Sequence, residues 1–215
     1  MKPKFAWVSL VLSLAFAANA SAELVSYQFT GVVDKSGAYG AALGTAVSGL
    51  ITYDTATQAD VVGPIGTKAQ LLHYVVPAPG QFQITIGGDT ISSTDMGIVV
   101  RDGFSGSTVT DQFVSSGYGL RLNGTPMASE NYMDITLAAS STSVLGAGLP
   151  STLNLADFDA PVFAHYGALF TGSGPDRALT FTIDTLTAVP EPSSMLTGGL
   201  GLAMLGGLLR VRRKS

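Results

Sequence analysis

The chain predicts an all-β fold, a two-sheet antiparallel β-sandwich of jelly-roll type, for its body at residues 23–189. Three observations carry this. Short runs alternate apolar and polar residues with period two, and Thr recurs on the polar side, the pattern of half-buried antiparallel strands. Gly-rich and Asn-Gly turns separate the runs. Stretches with helical periodicity are almost absent. About ten short strands in one body of this length argue for two packed sheets. A single closed barrel is the second choice.

In chain order, Val25, Tyr27, Phe29 and Val33 form the apolar side of the first run, against Ser26, Gln28 and Thr30. Gly49 to Tyr53 and Leu71 to Val76 read as strands. Phe82, Ile84 and Ile86 alternate with Gln83 and Thr85, and Gly87-Gly88-Asp89 comes next as a tight hairpin. Ile98 to Arg101, Gln112 to Val114 and Tyr118 to Leu122 are further strands, with Asn123-Gly124 marking a turn. Met133, Ile135 and Leu137 alternate with Asp134 and Thr136. Ala168 to Phe170 and Leu179 to Ile183 complete the set, the latter preceded by Gly172-Ser173-Gly174-Pro175-Asp176. Asp54 to Gln70 and Ser140 to Asp159 read as long connections, with one helical turn at Asn154 to Phe158. Loops on a rigid sandwich are where a binding site is expected.

The ends differ from the body. Lys2 and Lys4 precede an apolar run from Phe5 to Ala18, and Ala20-Ser21-Ala22 is a small-residue cleavage site. Residues 1–22 therefore read as a secretory signal peptide, with Ala20 and Ala22 read by signal peptidase and Glu23 as the new terminus. Ala18-Asn19-Ala20 is a second option. At the other end, Pro190-Glu191-Pro192 precedes the uncharged stretch Met195 to Leu209 and the basic residues Arg210, Arg212, Arg213 and Lys214. As a helix, 195–209 spans about 22 Å, short of the ~30 Å hydrocarbon core. It suits a marginal, temporary anchor. The basic tail holds it with residues 210–214 in the cytoplasm. The prolines keep the tripeptide extended and accessible at the outer face of the inner membrane.

Setting aside the six Lys and Arg of the two ends leaves Lys35, Lys68, Arg101, Arg121 and Arg177 against 14 acids, a body charge of −9. Such a surface repels phosphate backbones, which argues against nucleic-acid binding. The chain has no cysteine. That excludes disulfides, thiol chemistry, Cys-based zinc sites and a lipoprotein anchor.

Catalytic patterns are absent. Gly103-Phe104-Ser105-Gly106-Ser107 lacks the last glycine of a nucleophile elbow, and no H-E-x-x-H, P-loop or dinucleotide-binding glycine pattern occurs. His73 and His165 lie in apolar strand contexts and read as packed strand residues. Asp157 and Asp159 are the candidate calcium ligands, with solvated loop acids as the ordinary alternative. The only Trp, Trp7, lies in the signal peptide, so Tyr39, Tyr118, Tyr132 and Tyr166 are the candidates for stacking on sugars. No catalytic residue and no cofactor are assigned.

The tail resembles the PEP-CTERM sorting signal of exported proteins of Gram-negative bacteria, with Pro190-Glu191-Pro192, the Gly/Leu-rich span and the basic terminus in that order. Val211 interrupts the basic run. A GPI signal also ends in a removed apolar tail, but neither the tripeptide nor the basic cluster fits it. The body resembles domains that precede this signal in two places, Val47 to Asp54 and Phe181 to Leu186 running into Val189-Pro190. The resemblance implies export through the Sec translocon and a periplasmic body on an inner-membrane-anchored precursor. An exosortase would then recognise Pro190, Glu191 and Pro192 and pass the protein to the cell surface or beyond.

Three functions stand as expectations. The first is a non-enzymatic surface or matrix protein, structural or associated with exopolysaccharide and biofilm. The second is a lectin-like carbohydrate-binding module, calcium-dependent or not. The third is a secreted hydrolase, which would need His73 or His165 in a cleft beside a carboxylate or serine.

Overall fold

The computed structural model describes residues 24–65, 69–103, 110–142, 144–146, 148–172 and 176–190. Its strands are β1 (Leu24–Lys35), β2 (Ala46–Asp54), β3 (Val61–Ile65), β4 (Ala69–Val76), β5 (Gln81–Ile86), β6 (Asp89–Ser92) and β7 (Asp95–Asp102). After these come β8 (Asp111–Tyr118), β9 (Arg121–Leu122), β10 (Thr125–Pro126), β11 (Tyr132–Ala139), β12 (His165–Phe170) and β13 (Ala178–Val189). A single 3₁₀ turn, Leu155–Asp157, lies between β11 and β12, and the Asn154 side chain caps it. The fold is all-β, and every strand pair is antiparallel.

The expected division into two sheets is not what the hydrogen bonds form. They run unbroken through one 13-stranded sheet, ordered β10-β9-β6-β5-β2-β1-β13-β12-β11-β8-β7-β4-β3. Only Ser93 and Thr94 separate β6 from β7, yet seven strands lie between them in that order. So short a link forces the sheet to curl until its two halves face each other. Ser93 N–H donates to Phe82 O at 3.0 Å and Thr94 N–H to Tyr118 O at 3.1 Å, tying the link to both halves. The result is a curled half-barrel. It is not the closed barrel either, because β10 and β3 remain unpaired edges among the described residues.

The core fills the inside of the curl. Tyr27, Phe29, Ile51, Tyr53, Phe82, Ile84, Ile98, Phe113, Ile135, Leu179 and Phe181 are buried there. Most of them fall on the apolar side of the alternations read from sequence or in the strand 49–53. Two glycines make the centre possible. Phe29 lies against its cross-strand partner Gly49, and Phe181 against its partner Gly167. A Cβ at either glycine would run into the ring. The two freed rings stack at 6.2 Å between centroids, 3° from parallel.

Two expected elements change. The connection 54–70 contains β3, whose Val-Val-Gly-Pro-Ile sequence shows no alternation. Its Pro64 lacks an N–H and suits the edge position the strand occupies. The strand expected over Tyr118 to Leu122 is broken. β8 stops at Tyr118 because Gly119 takes a positive φ of 58°, and β9 begins at Arg121. The Asn123-Gly124 turn forms as read, with φ of 49° and 84°.

Candidate functional site

The core has two ends, marked by the β1–β2 hairpin. Near the start of β1, the long connection 140–164 covers the end of the half-barrel. Tyr27 Oη donates to Ser151 O at 2.9 Å and accepts from Leu153 N–H at 2.9 Å. Tyr53 Oη donates to Pro150 O at 2.7 Å. Burial, and then the neighbouring Tyr27, push the Tyr53 phenol far above its ordinary range. Leu145, Leu149, Leu153 and Phe158 of the connection are buried. The wholly buried Asp111 carboxylate fastens it by accepting from Gly103 N–H at 3.0 Å, Val144 N–H at 3.0 Å and Leu145 N–H at 2.8 Å.

At the other end of the same hairpin, the loop 36–45 stands over an open pocket of about 570 Å³. Tyr39, Ala41, Ile86, Leu122 and Met127 form its apolar wall, and Asp89 and Thr171 are polar members of the lining. Asp89 directly succeeds the Gly87-Gly88 turn, which swings its carboxylate to the rim. Its Oδ2 accepts from Tyr39 Oη at 2.9 Å and its Oδ1 from Asn123 Nδ2 at 2.9 Å. These two bonds, Asn123 first, hold the exposed carboxyl below the usual range. Desolvation, then the bond to Asp89, raises the Tyr39 phenol to about 12. Thr171 Oγ1 is shielded from solvent and has no hydrogen-bond partner among the described residues.

A second aromatic feature lies on the outer face. Tyr118, Tyr132 and Phe170 form a cross-strand row over β8, β11 and β12, with centroids 6.2 Å and then 4.3 Å apart. The Arg177 guanidinium sits 5.6 Å and 5.4 Å from the last two rings. Tyr132 and Phe170 lie within 14° of parallel and turn their faces on one another. This row directs its stacking surface onto itself and braces the sheet. Beside it, Asp134 is largely desolvated and its Oδ1 has no partner among the described residues. Burial raises that carboxyl above the usual range, and the Ser116 hydrogen bond offsets part of the rise.

The sequence candidates are thus scattered. Of the four tyrosines, Tyr39 enters the pocket, Tyr118 and Tyr132 join the outer row, and Tyr166 packs edge-on against Phe163 at 5.0 Å. Asp157 Oδ1 accepts from Asn154 Nδ2 at 3.3 Å. Asp159 Oδ1 accepts from the backbone N–H and hydroxyl of Ser140 at 2.9 and 2.8 Å. Among the described residues, no three His, Asp or Glu side chains gather in a metal-sized cluster. His165 Nε2 lies 2.9 Å from Leu155 O. His73 lies in β4, and its Nε2 is 3.6 Å from where a Cβ on Gly97 would stand. Local sequence marks Asp89 and Asn123 as turn residues alone and leaves Thr171 unmarked. Their meeting depends on strand pairing, which no local pattern carries.

Ala20, Ala22, Glu23, Glu191, Pro192, the span 195–209 and Arg210, Arg212, Arg213 and Lys214 lie outside the described residues. Pro190 is described and is exposed one residue after β13. Among the described residues, no helix is long and apolar enough to cross a membrane. β13 ends at Val189, which pairs with Ser26 near the start of β1. The chain therefore leaves the sheet at the closed end. Fold and tail together define an exported β-protein that carries a sorting signal. The family model of the PEP-CTERM protein-sorting motif matches residues 188–214. The chain is a PEP-CTERM domain-containing protein. The motif indicates exosortase-dependent sorting of an exported, membrane-anchored precursor that is processed for surface localisation. No curated protein and no solved structure matches the chain.

Proposed function

We propose that the protein is a structural or exopolysaccharide-associated component of the cell surface or extracellular matrix and carries out no catalysis itself. The observation that carries this reading is the sorting motif at residues 188–214. The precursor would pass the Sec translocon, lose residues 1–22 to signal peptidase and rest in the inner membrane through 195–209. The exosortase would then cut near Pro190-Glu191-Pro192. The acidic body supports a life among extracellular polymers, since its charge keeps it soluble. Intact mass and C-terminal peptide mapping of protein from the native host, with and without the exosortase, test it. A chain running from about Glu23 to the tripeptide only when the enzyme is present is expected. Retention of Arg210 to Ser215 in both strains would mean a plain membrane anchor.

A second reading, a lectin-like carbohydrate-binding module, is favoured by the pocket under loop 36–45. An aromatic side chain there stands beside a carboxylate, and Ala41, Ile86, Leu122 and Met127 give the wall an apolar part.

A further inference from the structure

We infer that the open end of the half-barrel is a binding site for a neutral glycan, held through Asp89 and Tyr39. The inference rests on the lectin-like reading and gives it a place and a ligand class.

The pocket volume, about 570 Å³, lies in the range of small-molecule sites. It admits a short stretch of sugar chain. Asp89 is ionised and accepts only. Each of its oxygens already takes one internal bond, from Asn123 and from Tyr39. Those bonds hold the carboxylate in one orientation and leave a lone pair on each oxygen. Two neighbouring sugar hydroxyls supply two donors at the spacing of two carboxylate oxygens. Tyr39 has its ring fixed by its own hydroxyl bond, and Ile86, Leu122 and Met127 form the apolar wall. The C–H faces of a sugar ring match such a surface.

Charge selects among ligands. A body of charge −9 with a carboxylate at the rim disfavours polyanions. A divalent cation would want six or more oxygens, and no cluster of three acidic or imidazole groups exists among the described residues. Position favours access. The chain leaves toward the sorting motif from the closed end, beside Ser26. Loop 36–45 extends from the far end of β1, about 30 Å away at 3.3 Å per residue. The pocket therefore stays open while the precursor is anchored.

The test uses protein recovered from the host surface, probed by saturation-transfer NMR. The probes are cellotetraose, maltotetraose, mannotetraose, the host's purified exopolysaccharide and, as controls, tetragalacturonate and tetramethylammonium. A neutral probe should bind. Asp89→Asn should weaken it roughly 10- to 100-fold, the range for one hydrogen bond to a charged group. Tyr39→Ala should weaken it similarly, and Tyr118→Ala should leave it unchanged, with melting curves confirming that each variant folds. Binding that survives Asp89→Asn and Tyr39→Ala but is lost in Tyr118→Ala would overturn the pocket and keep the lectin-like reading. Response to tetramethylammonium or tetragalacturonate alone would overturn the neutral-glycan assignment. Silence toward every probe, the host polymer included, would overturn the inference and the lectin-like reading together.

Discussion

At the end where β1 begins and β13 departs, the connection 140–164 is drawn into the barrel. Its backbone is tied to Tyr27, Tyr53 and Asp111. At the opposite end, loop 36–45 makes a side-chain bond across to the β5–β6 hairpin, Tyr39 to Asp89, and leaves a pocket beneath it. The first end gives the backbone of its covering connection side-chain partners, as a buried backbone requires. The second keeps an oriented carboxylate at the surface. One chain thus has a covered end and an open one. The chain leaves the sheet toward residues 188–214 at the closed end, and the open end lies at the other end of β1.

The contrast can be broken most directly at Asp111. Asp111→Ala leaves three N–H groups without their acceptor and is expected to cost about 3 kcal/mol or more. Urea denaturation would measure it, and a loss under about 1 kcal/mol would mean that Asp111 does not hold the closed end. Tyr53→Phe removes one buried donor and should cost about 1 kcal/mol. Faster amide exchange in residues 150–153 would accompany it.

Asp134 sharpens the comparison by showing a half-satisfied, largely desolvated carboxyl outside both ends. Its folded-state pKa is raised above the unfolded value, so the folded state holds the proton more tightly. Stability is therefore lost as pH rises from the unfolded pKa toward the folded one. Asp134→Asn should raise the melting temperature at about pH 7 and change it little at about pH 3.5. An equal shift at both values would trace the effect to packing. The smallest change is expected at the open end, where Tyr39→Phe removes an exposed bond and should alter stability by no more than about 0.5 kcal/mol. A larger loss would show that this loop is part of the structural frame.

Period-two alternation and turn chemistry are local properties, and what they encode could be read directly. The strand at Phe82, Ile84 and Ile86, the Asn123-Gly124 turn and the 3₁₀ turn after Asn154 are where the residues place them. The sorting motif was legible for the same reason, as a contiguous order of tripeptide, apolar span and basic end. β3 was not legible, since Val-Val-Gly-Pro-Ile carries neither alternation nor a flanking hairpin turn.

What the sequence by itself determined is the class of the body, the positions of most strands and the address carried by the tail. The tertiary structure alone decided whether those strands form two sheets or one, because alternation says which face is buried and nothing about which strand lies beside which. The pairing of β1 with β13 joins the two halves and makes the sheet continuous. It likewise decided the pocket. Tyr39 and Asp89 are 50 residues apart, and Asp89 and Asn123 34 apart. Only the register of the curled sheet brings them to one rim.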